Sequence, residues 1–235
     1  VQRQSIQSDG METYCDVHTG HVRDVRSHDM RNLVIAPHAD DEVLGTGGTI
    51  QKRFDNQEKI YVVVCGRRTQ DDKEQFLDAT KHYNTSYLLP YEDEHYYESF
   101  DSMLKEVESI YNEIKPNNVY IPNKSDFNRD HRCVHEICEI VCRRYQSHEP
   151  DRVFMYETPS STTQSFDNNF KCNWYEQLTS TQLKHKIETF MKYKNETRDY
   201  PNPRSPIGIT SYARFRGMEC NSNYAEGFNL LYSKN

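Results

Sequence analysis

Five short apolar runs, spaced at nearly regular intervals, constrain the fold of this chain more than any other feature. They are Leu33–Ala36, Ile60–Cys65, Ser86–Leu89, Val119–Ile121 and Val153–Tyr156, and successive runs begin about 26 to 34 residues apart. Such a distance accommodates a strand, a helix and two loops, which is the repeat of a βαβ unit. The pattern therefore predicts an α/β fold with a mostly parallel sheet of at least five strands flanked by helices.

The segments between these runs have the period expected of helices. Apolar residues recur on one face between Phe100 and Ile114, and Pro116 is placed to end that helix. A later amphipathic stretch runs from Leu183 to Met191. Residues 157–180 are rich in Ser, Thr and Asn and lack such a period, so we expect a long ordered loop there.

The domain organisation follows from where this pattern begins. Residues 1–31 are polar and carry little hydrophobic pattern, which indicates a polar N-terminal extension. The remaining residues, 32–235, are of a length typical of one domain. We therefore expect a single α/β domain over residues 32–235.

Composition and charge exclude several classes of function. The chain has 36 acidic and 29 basic residues and a net charge of -7, which argues against a nucleic-acid partner. No apolar run approaches the roughly 20 residues of a membrane span, and residues 1–31 hold no apolar segment typical of a signal peptide. The seven cysteines do not form a short-spaced disulfide framework and mostly lie in apolar segments. We expect a reducing, cytoplasmic location.

Ionisable side chains follow the first apolar run directly. His38, Asp40, Asp41 and Glu42 come at the predicted carboxyl end of the first strand, which is the edge where open α/β sheets bind ligands. Imidazole and carboxylate groups so close together are typical ligands of a borderline cation such as zinc. The alternative is that the three acids simply favour the N-terminus of the following helix.

A glycine-rich stretch, Gly45–Gly48, follows these acids. Glycines at this place let a helix pack closely on the sheet. The stretch lacks the G-x-G-x-x-G spacing of a dinucleotide site, and the preceding carboxylates would repel a pyrophosphate. We therefore set aside a nucleotide-binding interpretation.

A second group of ionisable side chains follows the fourth run, about 90 residues further on. Asp130 and His131 fall at the start of a predicted helix, so the same sheet edge is expected to carry them. Two histidines and one aspartate would leave zinc an open position for water. Cys138 and Cys142 continue along that helix, but we favour packing roles for them because they lie too far from the strand end. His135 lies on the same face as His131, and we expect it to support a ligand or to pack rather than to bind the metal.

These two segments resemble the signatures of the PIG-L/LmbE family of zinc-dependent N-deacetylases. Residues 38–42, His-Ala-Asp-Asp-Glu, are similar to the family's His-Pro-Asp-Asp-Glu motif. Residues 128–135, Asn-Arg-Asp-His-Arg-Cys-Val-His, are similar to its His-x-Asp-His-Arg-x-Val-His motif. Residues 156–160, 213–217 and 224–228 resemble later family segments. The resemblance covers roughly residues 32–232.

The resemblance implies a fold, a cofactor and a reaction. The fold would be Rossmann-like, and the ligands of Zn²⁺ would be His38, Asp41 and His131. Asp40 would be the general base, and Asp130 would orient a histidine. The activity would be removal of the acetyl group from the nitrogen of a small N-acetylated sugar or glycoconjugate.

One departure from the family pattern keeps two alternatives open. Asn128 stands where many members carry a histidine thought to stabilise the transition state. Asparagine can donate a hydrogen bond to an oxyanion, but it cannot carry a positive charge. The alternatives are a catalytically weak or inactive sugar-binding relative and a hydrolase of a non-sugar amide.

Five further residues are candidates for substrate contact. Arg67 and Arg68 follow the second strand and are suited to hold a phosphate or carboxylate. Glu157 follows the fifth strand, and Arg216 and Tyr224 lie in the family-like C-terminal stretch. Ordinary structural roles are equally compatible with each of these residues.

Overall fold

A computed structural model describes residues 3–8, 11–16, 22–24, 29–67, 69–166 and 170–234, with the three segments before residue 29 described as backbone only. The strands, in chain order, are β1 (Arg3–Ser8), β2 (Met11–Asp16), β3 (Val22–Asp24), β4 (Arg31–Ala36), β5 (Lys59–Gly66), β6 (Thr85–Tyr91), β7 (Asn118–Pro122), β8 (Arg152–Tyr156), β9 (Trp174–Gln177) and β10 (Ala225–Ser233). The helices are α1 (Asp41–Asp55), α2 (Gln70–Thr80), α3 (Phe100–Ile114), α4 (Arg129–Val141), α5 (Ser180–Phe190) and α6 (Pro206–Glu219). Within the described ranges, no helix has the length and apolar character needed to cross a bilayer.

Seven of these strands form one sheet, in the order β6-β5-β4-β7-β8-β10-β9. Neighbouring strands from β6 to β8 are parallel, whereas β10 runs antiparallel to both β8 and β9. Each of the five apolar runs lies in one of the five parallel strands. The predicted α/β class and mostly parallel sheet are therefore confirmed.

Three parts of the structure differ from the sequence pattern. The segment 157–180, expected to be a loop, contains a 3-10 turn at Thr162–Gln164 and the strand β9. The strand β10 was not predicted from periodicity at all. In the N-terminal segment, β1, β2 and β3 form a small antiparallel sheet, where the sequence indicated only a polar extension.

The central strands β4, β5, β7 and β8 are buried on both faces of the sheet, which explains why they appear in the sequence as uninterrupted apolar runs. Along β4, Leu33 and Ile35 belong to one hydrophobic cluster, to which α3 and α4 contribute. Val34 and Ala36 point the other way, into a second cluster that includes residues of α1 and α5. Alternate side chains of this one strand thus contribute to two separate hydrophobic cores.

The cysteines support this packing rather than forming cross-links. Cys65, Cys133 and Cys138 are fully buried in the first cluster. The six cysteines whose side chains the structure describes are free thiols. The packing role expected for Cys138 agrees with this environment.

Two glycines let α1 lie close to its neighbours. A Cβ atom on Gly45 would collide with the ring of Tyr156, and one on Gly48 would collide with the side chain of Leu178. Larger residues would push the helix away from the sheet. The glycine-rich stretch therefore has the packing role predicted for it.

The strand order brings the two ionisable segments together. The parallel strands β4 and β7 are direct neighbours, with Asn32 opposite Asn118. Since parallel strands end at the same edge, the segments that follow β4 and β7 leave the sheet side by side. The candidate site lies at this edge.

Candidate metal centre and active site

Three buried side chains from the two segments converge on one point. His38 lies between β4 and α1, Asp41 is the first residue of α1, and His131 lies in the first turn of α4. Oδ2 of Asp41 is 3.2 Å from Nδ1 of His38 and 3.1 Å from Nε2 of His131. One ligand atom from each residue lies within 4.8 Å of the other two.

This donor set fits a metal ion. Two imidazole nitrogens and one carboxylate are one of the common ligand sets of a catalytic zinc with an open coordination position. Oδ1 of Asp41 is buried and has no hydrogen-bond partner among the described residues. A buried carboxylate oxygen without a partner is unfavourable unless a ligand satisfies it. The three residues can therefore hold a divalent transition-metal ion.

A carboxylate lies behind each histidine. Oδ2 of Asp126 is 3.4 Å from Nδ1 of His131, and Oδ2 of Asp130 is 3.2 Å from Nε2 of His38. In each ring, this nitrogen is the one that does not face Asp41. Carboxylates in this position select the tautomer and the orientation of a metal-binding imidazole.

Both of these carboxylates are themselves held in place. Oδ2 of Asp126 accepts hydrogen bonds from the hydroxyls of Ser161, at 3.0 Å, and Thr162, at 2.6 Å. Oδ2 of Asp130 accepts one from the backbone N–H of Glu94, at 2.9 Å. The loops after β6 and β8 therefore help to fix the two histidines.

A third acid, Asp93, approaches the same side of His38. Its Oδ1 atom is 3.4 Å from Nε2 of His38, so that His38, Asp93 and Asp130 form a second group of possible ligands. This group shares His38 with the first group, through the opposite nitrogen of the ring. The second group therefore belongs to the same site and lies on the side of the His38 ring opposite Asp41.

These contacts change the protonation of the site. Burial lowers the pKa of His38, but hydrogen bonds to Asp130 and Asp41 outweigh this effect and raise the pKa to about 9. Burial likewise lowers the pKa of His131, while Asp41 and Asp126 raise it to about 10. For Asp41, burial raises the pKa, but the two histidines hold it well below its usual range. Without a metal, the site is an ion-paired cluster.

Asp40 combines deep burial with an unusual backbone. Its φ and ψ angles are 130° and -32°, a region that L-residues rarely adopt and that costs on the order of 1–3 kcal/mol. Oδ2 of Asp40 lies 3.4 Å from Nη1 of Arg204, which also binds Glu196. Burial, followed by the charge of Asp41, raises the pKa of Asp40 well above its usual range, and Arg204 opposes this rise. Asp40 is thus a strained carboxyl group with raised proton affinity beside the candidate metal ligands.

Glu42 supports the backbone rather than facing the cleft. Oε2 of Glu42 accepts a hydrogen bond from the backbone N–H of Asp40, at 2.9 Å, and Oε1 accepts one from the hydroxyl of Tyr193. Burial raises the pKa of Glu42 to about 7, although these hydrogen bonds lower it. The geometry favours a role at the start of α1.

Asn128 caps the helix that carries His131. Its Oδ1 atom accepts a hydrogen bond from the backbone N–H of Asp130, at 2.8 Å, which is typical of an N-cap residue. With the carbonyl oxygen used in this way, the amide nitrogen is the donor that Asn128 can offer to another group.

A groove of about 520 Å³ lies beside Asn128. Phe127, Ser160, Arg198 and Arg204 also line it. Its volume lies within the range of small-molecule sites. Because Arg204 also contacts Asp40, the groove adjoins the candidate site.

Glu157 and Arg216, both proposed from the sequence to contact substrate, bind each other. Nε and Nη2 of Arg216 donate to the two carboxylate oxygens of Glu157 at 2.6 and 2.8 Å. Nη1 of Arg216 donates to Glu219 at 2.7 Å. Tyr224 is half-buried and packs against the second hydrophobic cluster. These geometries favour the structural alternative for all three.

The remaining candidates from the sequence lie near the site or outside the described residues. Arg67 is exposed and lines a small cleft together with His38 and Asp40. Arg68 lies outside the described residues. On α4, Nδ1 of His135 donates to the carbonyl of Pro122 at 2.8 Å, which is a packing role.

Sequence reasoning did not single out Asp93, Asp126, Arg204 or Tyr193. Asp126 carried the clearest signal, because it follows β7 within the segment that already contained Asn128 and His131. Asp93 similarly follows β6 at the same sheet edge. Arg204 and Tyr193 lie far along the chain, in segments without a recognisable motif.

Part of the chain matches the sequence model of a known protein family. Residues 33–142 match the sequence model of the PIG-L family, described as GlcNAc-PI de-N-acetylase. That range contains both ionisable segments. No curated protein is matched by sequence.

Several solved structures share the fold at low sequence identity. The N,N'-diacetylchitobiose deacetylase of Pyrococcus horikoshii aligns with a TM-score of 0.69 and 18% identity, over 86% of this chain and 83% of that one. The zinc-inhibited form of the teicoplanin deacetylase Orf2 aligns with a TM-score of 0.66 and 11% identity, over 87% and 100%. GalB, the 4-carboxy-2-hydroxymuconate hydratase of Pseudomonas putida KT2440, aligns with a TM-score of 0.68 and 15% identity, over 88% and 98%.

Proposed function

We propose that this chain removes the acetyl group from an N-acetylglucosamine-type sugar or sugar conjugate, with zinc as cofactor, because residues 33–142 match the model of the PIG-L family, described as GlcNAc-PI de-N-acetylase. The observation that carries this proposal is the position of Asp40. The buried carboxyl group of Asp40 lines the same small cleft as His38, beside a His38–Asp41–His131 cluster that fits a metal ion. A base next to a Lewis acid is the arrangement that metal-assisted hydrolysis of an amide uses.

The proposed metal ligands are His38, Asp41 and His131. When bound there, zinc supplies Lewis acidity, which polarises a carbonyl group and makes water more acidic. Asp126 and Asp130 orient the two imidazoles from behind. All five side chains are buried, so the site excludes bulk water from the ligands.

Asp40 is the proposed general base. Its carboxylate takes a proton from the attacking water and later returns it to the nitrogen of the leaving amine. Both steps need a carboxyl group that binds a proton readily but is also ionised at the start. Burial supplies the first property, and the Arg204 guanidinium at 3.4 Å favours the second.

Asn128 and the groove beside it have proposed roles in substrate binding. The amide nitrogen of Asn128 donates a hydrogen bond to the acetamide oxygen as negative charge develops there. The groove, at about 520 Å³, is large enough for the part of a glycoconjugate beyond the acetamido sugar. Phe127 is 61% exposed and offers that part a flat apolar surface.

Acetate release is the direct test. The zinc-loaded protein is incubated with a panel of N-acetylglucosamine glycosides and nucleotide sugars, beside an Asp40→Asn variant. We expect the variant to keep its zinc and to lose about 100-fold or more of the rate, because only the base is removed. His131→Ala should lose the metal, whereas Asp71→Asn, which alters an exposed acid at the start of α2, should match the parent protein.

The other outcomes identify the two alternatives. Asn128, in place of a positively charged group, motivates the hypothesis of a sugar-binding protein without turnover. Equal absence of acetate release from the parent and Asp40→Asn, with sugar binding retained, would establish it. Release of acid from simple acyl amides but from no sugar would establish a non-sugar amide hydrolase.

A further inference from the structure

Asp40 adopts a backbone conformation that its own side chain disfavours. Its φ angle of 130° lies in the region where glycine is the usual residue, yet Asp40 is the N-cap residue of α1 and lies beside the ligand cluster. A residue persists in such a conformation only where surrounding contacts hold it there. The contacts that hold Asp40 are therefore part of how its carboxylate is aimed.

Two buried side chains provide such a contact. Oε2 of Glu42 accepts a hydrogen bond from the backbone N–H of Asp40 at 2.9 Å, and Oε1 of the same carboxylate accepts one from the hydroxyl of Tyr193. Asp40 and Glu42 are each 2% exposed, and Tyr193 is 1% exposed. Because all three groups are buried, water cannot easily replace any of them. The two hydrogen bonds therefore connect Tyr193 to the backbone of Asp40 through the carboxylate of Glu42.

Tyr193 is itself firmly anchored. It lies just after α5, belongs to the second hydrophobic cluster, and donates its backbone N–H to the carbonyl of Phe190 at 2.9 Å. The Tyr193 carbonyl accepts hydrogen bonds from the backbone N–H groups of Glu196, at 3.0 Å, and Thr197, at 3.1 Å. The Tyr193 hydroxyl is therefore held in a fixed position, although it is 151 residues from Glu42 in the sequence.

We propose that Tyr193 is a positioning residue, which holds the backbone of Asp40 in its strained conformation by fixing the carboxylate of Glu42. Without the hydroxyl, Oε1 of Glu42 would be a buried acceptor that has lost its donor, and the side chain would turn to seek another. The N–H of Asp40 would then lose its acceptor. The catalytic consequence of this loss, though not the positioning itself, rests on the proposed function.

Amide exchange tests the positioning without any substrate. In the zinc-loaded full chain, hydrogen exchange at the amide of Asp40 is measured by NMR for the parent protein and for Tyr193→Phe. We expect exchange at this amide to become about tenfold faster or more, as for the loss of one buried hydrogen bond. The matched control is Tyr156→Phe, which removes an equally buried hydroxyl that donates to the carbonyl of Ile35 at 3.0 Å.

A second variant separates positioning from charge. Glu42→Gln keeps an acceptor for the Asp40 amide and can donate its amide group to the Tyr193 oxygen, so its exchange should stay near that of the parent. If Tyr193→Phe accelerates exchange at Asp40 no more than Tyr156→Phe does, the proposal is overturned.

Kinetics provide a further readout on any substrate that the parent protein turns over. Tyr193→Phe should lower kcat by about tenfold or more and leave KM within about twofold, because the base is misaligned while binding is intact. A kcat equal to that of Tyr156→Phe would overturn the proposal. If the parent releases no acetate from any substrate, the proposed function fails, and the exchange result still decides the role of Tyr193.

Discussion

Oδ2 of Asp126 lies 3.4 Å from Nδ1 of His131, on the far side of the ring from the Nε2 atom that faces Asp41. The imidazole is therefore held between two carboxylates, one at the candidate metal position and one behind it. Asp126 is in turn fixed by the hydroxyls of Ser161 and Thr162, from the segment after β8. The segment after β8, which contributes none of the three candidate ligands, thus supports the candidate metal site.

Removing the charge behind His131 should weaken metal binding. We expect Asp126→Asn to lower the affinity for zinc by about 10- to 100-fold, because the imidazole loses the carboxylate that orients it and raises its basicity. Competition against a chelator measures the effect. Asp78→Asn, at an exposed carboxylate, serves as the control. An unchanged affinity in Asp126→Asn would show that the 3.4 Å contact has no influence on the metal.

Metal binding should release protons near neutral pH. The pKa values of about 9 for His38 and about 10 for His131 mean that both rings are protonated at pH 7 in the metal-free protein. A metal ion needs neutral imidazoles, so we expect about two protons to be released per zinc bound. Calorimetry in buffers of different ionisation enthalpy measures this number. Zinc uptake at pH 7 with no proton release would contradict the ion-paired cluster.

The same pKa values predict how the stability of the metal-free protein depends on pH. Both histidines have pKa values above 6.5 in the folded state, so their contribution to stability is complete below about pH 6.5. This contribution is lost as the pH rises through 9 and 10. Denaturant titrations of the metal-free protein should therefore show a free energy of unfolding that falls over this range. Bound zinc should abolish that fall.

The ion pair between Glu157 and Arg216 should contribute to stability rather than to substrate binding. We expect Arg216→Met to lower the free energy of unfolding by about 3 kcal/mol, because it leaves the largely buried carboxylate of Glu157 without its bidentate partner. Adding Glu157→Leu should recover most of this loss. Chemical denaturation measures both, and Arg214→Met provides an exposed control on the same helix. A raised KM with unchanged stability would instead assign Arg216 to substrate binding.

The sheet was predictable because its strands carry the information locally. Strands β4, β5, β7 and β8 are buried on both faces, so each appears in the sequence as a continuous apolar run, whereas the edge strand β6 is only partly buried. In contrast, β10 contains Gly227 and Asn229 and becomes half-exposed towards its end, and β9 has only four residues. Neither has a pattern that distinguishes it from a loop.

The core of the site was predictable for a related reason. His38 and His131 each follow a parallel strand, and parallel strands deliver such residues to one edge. The partners of Asp40 and Glu42 could not be found in this way. Arg204 and Tyr193 reach the site from the segment around α5 and the proline-rich connector, and their approach depends on tertiary packing with no local signal. The pairing of Glu157 with Arg216 was hidden for the same reason.

Arg204 should control the pH at which the protein becomes active. Asp40 must be ionised to act as a base, so activity falls as the pH drops through its pKa. Burial and Asp41 raise this pKa and Arg204 opposes them, so Arg204→Gln should raise it further. We expect the acid limb of the kcat/KM profile to move up by about one pH unit. Arg143→Gln, which removes an exposed guanidinium that pairs with Glu108 at 3.3 Å, should leave the limb in place. A limb that stays fixed in Arg204→Gln would mean that the 3.4 Å contact with Asp40 does not govern its ionisation.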